Sequence, residues 1–148
     1  MGDTFLQAAL AEARLGLDEG GIPIGSVLVI DNQIVGRGHN RRVQQNSVLL
    51  HAEMDCLDNA GRLSVGEYRR ATLYSTLSPC DMSTGTALLY GIPRVVICEN
   101  RTFRGPEEYV LSRGVQLKVL DDQECYQLMQ DFIALHPELW NEDIGEES

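Results

Sequence analysis

The 148-residue chain predicts an α/β fold, one mixed five-stranded sheet with helices on both faces. Three observations carry this reading. Segments of helical and of strand periodicity alternate along the chain. Two early strand runs meet at the Asp31-Asn32 turn, which makes them an antiparallel hairpin. The later strand runs are short and apolar, and helical segments separate them, as in a buried parallel sheet.

Taken in order, residues 5–17 read as an amphipathic helix, because Leu6, Leu10, Ala13 and Leu17 recur at spacings of four, three and four; Gly20-Gly21 ends it. Residues 24–30 and 33–38 are the hairpin strands, at one edge of the sheet. Residues 50–61 read as a helix closed by Asn59-Ala60-Gly61. Residues 71–76 form a strand, and residues 80–90 a helix that follows Ser78-Pro79 and stops at Gly91. Residues 94–98 are a strand, 107–113 a helix stopped by Gly114, and 115–120 the last strand. Asp121 caps a long helix reaching about residue 135, and Pro137 opens a further short helical segment.

Composition narrows the function. Twenty-two acidic residues against 12 basic ones give a net charge of −10. The basic residues are scattered, which argues against a nucleic-acid partner and for a small neutral substrate. No apolar run approaches the ~20 residues that span a bilayer, so no membrane association is expected. The first residues lack the pattern of a signal peptide, and Leu6 stands where a myristoylation motif wants Ser or Thr; a cytoplasmic protein is expected. Cys56, Cys98 and Cys125 sit in apolar patterns and read as small buried thiols. His39 and His136 have no partners at metal-ligand spacing and read as ordinary polar residues.

The chemistry centres on two helix starts. His51 and Glu53 open one helix and Cys80 opens another, at the same end of the sheet, where sites in open α/β sheets form. A helix N-terminus favours a thiolate. A hydrolytic zinc site needs three protein ligands and an open position for water, and histidine and thiolate suit zinc. A glutamate two residues after the histidine points elsewhere, so it stands beside the metal and can shuttle protons from water to a leaving amine. The alternative for each residue alone is a satisfied core histidine and a buried thiol. Together, His51-Ala52-Glu53 and Pro79-Cys80 favour the functional reading. A lower-ranked alternative makes Cys80 a nucleophile without metal, with His51 or Glu53 as its base.

These motifs match the zinc pattern of nucleobase deaminases, and with them the chain resembles the cytidine-deaminase-like superfamily, most of all the fungal-type cytosine deaminases. The likeness runs through Gly36-Arg37-Gly38-His39-Asn40, Leu50-His51-Ala52-Glu53, Ser78-Pro79-Cys80-Asp81-Met82, Tyr90-Gly91-Ile92-Pro93-Arg94 and Trp140-Asn141-Glu142-Asp143-Ile144-Gly145. It implies a three-layer α/β/α fold, a homodimer, and one Zn2+ per subunit held by His51 and Cys80. Residues 1–148 would form a single deaminase domain, with 137–148 as a C-terminal lid segment. Glu53 would be the proton shuttle. Asn40, with the backbone of Ala52 and Ser78, would orient the base. Asp143 would accept from its exocyclic amine, and Phe103, Trp140 and Ile144 would close over the ring. The substrate implied is cytosine; guanine, creatinine or a triazine would be the alternative amino-heterocycles.

One position departs from the pattern. The third zinc ligand of the family, a cysteine three residues after Cys80, is Ser83 here. Residues i and i+3 share a helix face, so the place is kept, but a hydroxyl is a far weaker zinc donor than a thiolate. Three explanations stand. A serine was introduced where the natural protein has cysteine, or serine is natural and zinc is kept by two protein ligands with solvent or Asp81, or the site has lost zinc and the chain binds ligand without turnover.

Overall fold

The computed structural model describes residues 3–147. Its core is a five-stranded sheet in the order β2-β1-β3-β4-β5, formed by Gly25–Ile30 (β1), Gln33–His39 (β2), Thr72–Leu77 (β3), Arg94–Glu99 (β4) and Gln116–Val119 (β5). β1 pairs antiparallel with both β2 and β3, whereas β3-β4 and β4-β5 are parallel. The expected hairpin therefore lies at one edge, as its two-residue turn dictates: Asp31 and Asn32 both take positive φ, at 51° and 63°.

Alternation along the strands sorts side chains onto two faces. Val27, Val29, Tyr74 and Val96 pack on Ala9 of α1 (Thr4–Asp18). On the same face Cys98 meets Leu6, Leu10 and Cys125, the last from α6 (Gln123–Leu135). Leu28, Ile30, Leu73, Val95 and Ile97 face the opposite layer, meeting Cys56 of α2 (Ala52–Ala60), Ala87 of α4 (Asp81–Tyr90) and Val110 of α5 (Glu107–Ser112). The result is the three-layer α/β/α arrangement. Two glycines let the layers approach. A Cβ on Gly25 would lie 2.0 Å from Ala9 O, and one on Gly38 would lie 2.4 Å from Cys56 N.

Four features differ from the sequence expectation. Val65–Tyr68 form a one-turn helix, α3, closed by a capping box between Ser64 and Glu67. Asp122, not Asp121, caps α6, its side chain accepting from Cys125 N–H. Cys98 and Cys125 are not separate thiols: they form a disulfide between the end of β4 and the first turn of α6. Each alone reads as a core residue, and only the folding of α6 onto β4 brings them together. His39 is fully buried rather than an ordinary polar residue, with Nδ1 2.9 Å from Glu12 and Nε2 2.8 Å from Glu19, which fastens α1 to β2.

Candidate active site

The antiparallel turn of β1 and the parallel run of β3 and β4 bring several chain ends together. The start of β1, the end of β2 at His39-Asn40, and the ends of β3 and β4 share one edge, where Gly25 N–H donates to Thr76 Oγ1 at 3.0 Å. α2 and α4 start there. Their N-caps are His51 and Cys80, and neither uses its side chain for capping, which leaves the imidazole and the thiol free for each other. His51 Nδ1 and Cys80 Sγ are 3.3 Å apart.

Glu53 is buried in the first turn of α2, and two hydroxyls hold its carboxylate. Ser75 donates to Oε2 at 2.6 Å and Ser83 donates to Oε1 at 3.1 Å. Ser83 itself lies 3.8 Å from Cys80 Sγ. From the far end of the chain, α7 (Pro137–Asp143) returns over this pair and buries Trp140 and Asp143. Asp143 accepts from Asn40 Nδ2 at 2.9 Å and lies 3.5 Å from His51 Nε2. Ala52, Ser78 and Ile144 complete the wall of a narrow pocket with His51, Glu53, Cys80, Phe103, Trp140 and Asp143. Phe103 meets Trp140 edge to face, with ring centroids 6.3 Å apart. The fold thus brings every residue singled out in the sequence to one place. Asn40 touches it through Asp143 rather than through the pocket wall.

Three further residues bear on the site, and the sequence did not mark them. Ser75 looks like any polar residue in a strand. Glu107 is buried, accepts from Ser78 Oγ at 2.7 Å, and so ties the segment leading to Cys80 to α5. Arg42 follows Asn40 by two residues and pairs with α7. Their roles rest on contacts between distant stretches of chain, for which spacing holds no signal.

The electrostatics follow from the geometry. Burial opposes a charged His51, but the hydrogen bond to Cys80 and the charges of Asp143, Cys80 and Glu53 outweigh it and push its pKa up to about 9. Burial likewise opposes a Cys80 thiolate, yet the hydrogen bonds with His51 and with Ser83 hold the thiol below its ordinary value. Burial instead pushes Cys56 up to about 12. Because Cys80 is lowered, its thiolate persists as pH falls below the ordinary thiol range. Chelator-treated protein is therefore expected to alkylate with iodoacetamide at Cys80 and not at Cys56 at about pH 7, and zinc is expected to suppress the labelling. Mass spectrometry of the labelled peptides checks this. Labelling of Cys80 unaffected by zinc would favour the metal-free nucleophile.

The donor set fits a metal in part. Zinc–nitrogen and zinc–sulfur bonds of about 2.0 and 2.3 Å at a tetrahedral angle put their donors about 3.5 Å apart, close to the His51–Cys80 separation. The nearest third donor to Cys80 is the Ser83 hydroxyl, 3.8 Å from its sulfur and hydrogen-bonded to Glu53. The disulfide removes the thiolates of the other convergent group among the described residues, Cys98, Asp122 and Cys125.

A histidine–cysteine pair at two helix starts, with a buried glutamate and an aromatic-walled pocket beside it, defines a metal-dependent deaminase on this fold. Comparison agrees: the profile of the cytidine and deoxycytidylate deaminase zinc-binding region matches residues 2–99, and the chain belongs to that family, whose metal is zinc. It is 51% identical to the cytosine deaminase of Candida albicans, over 95% of each chain. It is 37% identical to a tRNA-specific adenosine deaminase of Streptococcus pyogenes, over 86% of this chain and 87% of that one. A solved structure from a study of A-to-I editing by tRNA:A34 deaminases superposes with a TM-score of 0.72 and 27% identity, covering 84% of this chain and 97% of that one.

Proposed function

We propose that the chain hydrolyses the exocyclic amine of a free nucleobase, cytosine to uracil and ammonia. The oxygen of water bonds to the amine-bearing carbon, the C–N bond breaks, and the amine leaves as ammonia after gaining a proton. Zinc at His51 and Cys80, with Ser83 beside it, would supply the Lewis acidity that makes water a nucleophile near neutral pH. Glu53 takes the proton from the attacking water and delivers it to the leaving nitrogen; Ser75 holds its Oε2 in place for that exchange. The backbone of Ala52 and Ser78 meets the polar edge of the base, Asn40 orients the base by way of Asp143, which accepts from the exocyclic amine, and Phe103, Trp140 and Ile144 cover the ring. Residues 137–148 act as the lid of a single catalytic domain.

The observation that carries this reading is the Asn40–Asp143 hydrogen bond, which draws the tail over the His51–Cys80 pair and places Trp140 and Asp143 in the wall of the pocket beside it. The 51% identity to a cytosine deaminase supports the same substrate. Transfer RNA is disfavoured by charge. At the pocket mouth Arg42 is paired with Glu142, and Arg104 with Glu107 and Glu108, so neither is free for phosphates. Among the described residues no helix is long and apolar enough to cross a membrane. A cytoplasmic homodimer goes with this reading.

Ammonia release from cytosine, guanine, creatinine, a triazine and an anticodon stem-loop RNA, with zinc supplied, tests it. Cytosine should be turned over fastest. Turnover confined to another heterocycle or to the RNA would overturn the assignment. The Ser83–Glu53 hydrogen bond favours one second reading, a ligand-binding protein without turnover, because it engages the carboxylate meant to carry the proton. That reading predicts thermal stabilisation by cytosine with no ammonia from any substrate.

A further inference from the structure

The most unusual charge at the rim of the pocket is Arg42. Its side chain is only 9% exposed although it stands in the loop between β2 and α2. Nη2 donates to Glu142 at 2.7 Å, and Nη1 lies 3.5 Å from Asp143 Oδ1 without forming a well-directed hydrogen bond. Its own backbone N–H donates to Asn40 Oδ1 at 3.0 Å, which leaves Asn40 Nδ2 to donate to Asp143. One residue thus bonds to the last turn of α7 with its guanidinium and turns the Asn40 amide with its backbone. A half-buried arginine whose Nη1 is buried without a hydrogen-bond partner is costly unless its neighbours stay in place.

We propose that Arg42 is a positioning residue for the substrate pocket: its guanidinium anchors Glu142 and Asp143, and thereby holds α7 closed over His51 and Cys80. This rests on the deaminase reading above. A forked cation suits the task better than a point charge, because two adjacent carboxylates on one helix end must be held together. Arg42 also places a guanidinium nitrogen 3.5 Å from Asp143, a buried carboxylate. Guanidinium loss would free the helix end and leave Asp143 mispositioned for the amine, so substrate binding would suffer more than the proton transfers at Glu53.

The test uses the zinc-loaded full chain and three variants, Arg42→Met, Arg42→Lys and Glu142→Gln, with the double variant Arg42→Met/Glu142→Gln. Amide hydrogen exchange at residues 137–143 is read alongside KM and kcat for cytosine and the Kd of uracil. For Arg42→Met we expect exchange over α7 to rise about tenfold, KM and Kd to rise about tenfold and kcat to change less than about threefold, with sheet amides unaltered. Arg42→Lys should recover part of the loss. The double variant should be no worse than Arg42→Met, since both changes break one contact. Glu142→Gln sits on an exposed side chain, so it tests the same contact even if Arg42→Met folds poorly. Unchanged α7 exchange in both Arg42→Met and Glu142→Gln, or a loss confined to kcat, would overturn the proposal. Failure of the deaminase reading would show separately, as no ammonia from the parent chain, and the exchange measurement would still decide whether Arg42 anchors α7.

Discussion

Replacing Ser83 with cysteine is expected to raise zinc affinity by about a hundredfold or more, and ammonia release with it, because it converts a neutral oxygen donor into a thiolate. The place is already prepared. Ser83 is fully buried on the first turns of α4, three residues from Cys80, and its Oγ faces Cys80 Sγ at 3.8 Å. The substitution has a second effect: it removes the hydroxyl that donates to Glu53 Oε1, which leaves one carboxylate oxygen free to accept from water while Ser75 still holds the other. Zinc titration against a chelating dye gives the affinity, and ammonia release at saturating zinc gives the rate. A rise in both is the expected result. No change in zinc affinity would mean that the chain holds metal without this position. The pH dependence has a defined sign. Zinc competes with the proton on His51, whose pKa in the metal-free chain is pushed up to about 9, so affinity should climb as pH rises toward that value. The added thiolate should steepen the climb.

The architecture was legible in the sequence because it rests on local chemistry. The Asp31-Asn32 turn, the strand and helix periods and the glycines that end helices each act over a few residues. His51, Glu53 and Cys80 were legible for a related reason, since metal chemistry needs these groups at short spacing on two helix starts. Asn40, Trp140 and Asp143 stood out only by resemblance, since the two residues that now share a hydrogen bond are 103 positions apart. The disulfide was not legible. Cys98 ends an apolar strand and Cys125 starts an amphipathic helix, and either pattern is complete with a free thiol. His39 escapes for a similar reason: nothing near it in sequence shows that Glu12 of α1 and Glu19, which caps that helix, will meet both of its nitrogens. Tertiary contacts of this kind escape a spacing argument, and Arg42 is the case that bears on function.

Replacing Glu53 with alanine is expected to lower ammonia release by about two to four orders of magnitude while leaving zinc content near that of the parent. The two halves of the prediction come from separate features. Both oxygens of Glu53 are bound by Ser75 and Ser83 rather than by His51 or Cys80, so its loss removes no sulfur or nitrogen donor. It is also buried in the pocket wall and is the carboxylate within reach of a water that attacks a base lying against Phe103 and Trp140. Glu53→Gln sharpens the test, because the amide keeps the size and can still accept from one hydroxyl but cannot take up a proton. Both variants should therefore fail in kcat and bind uracil with a Kd close to that of the parent, whereas Arg42→Met should fail mainly in KM. Metal analysis, uracil binding and single-turnover ammonia release on the same preparations separate the outcomes. Turnover retained in Glu53→Gln would remove the proton-shuttle role, and loss of zinc in both variants would move Glu53 into the metal's own coordination.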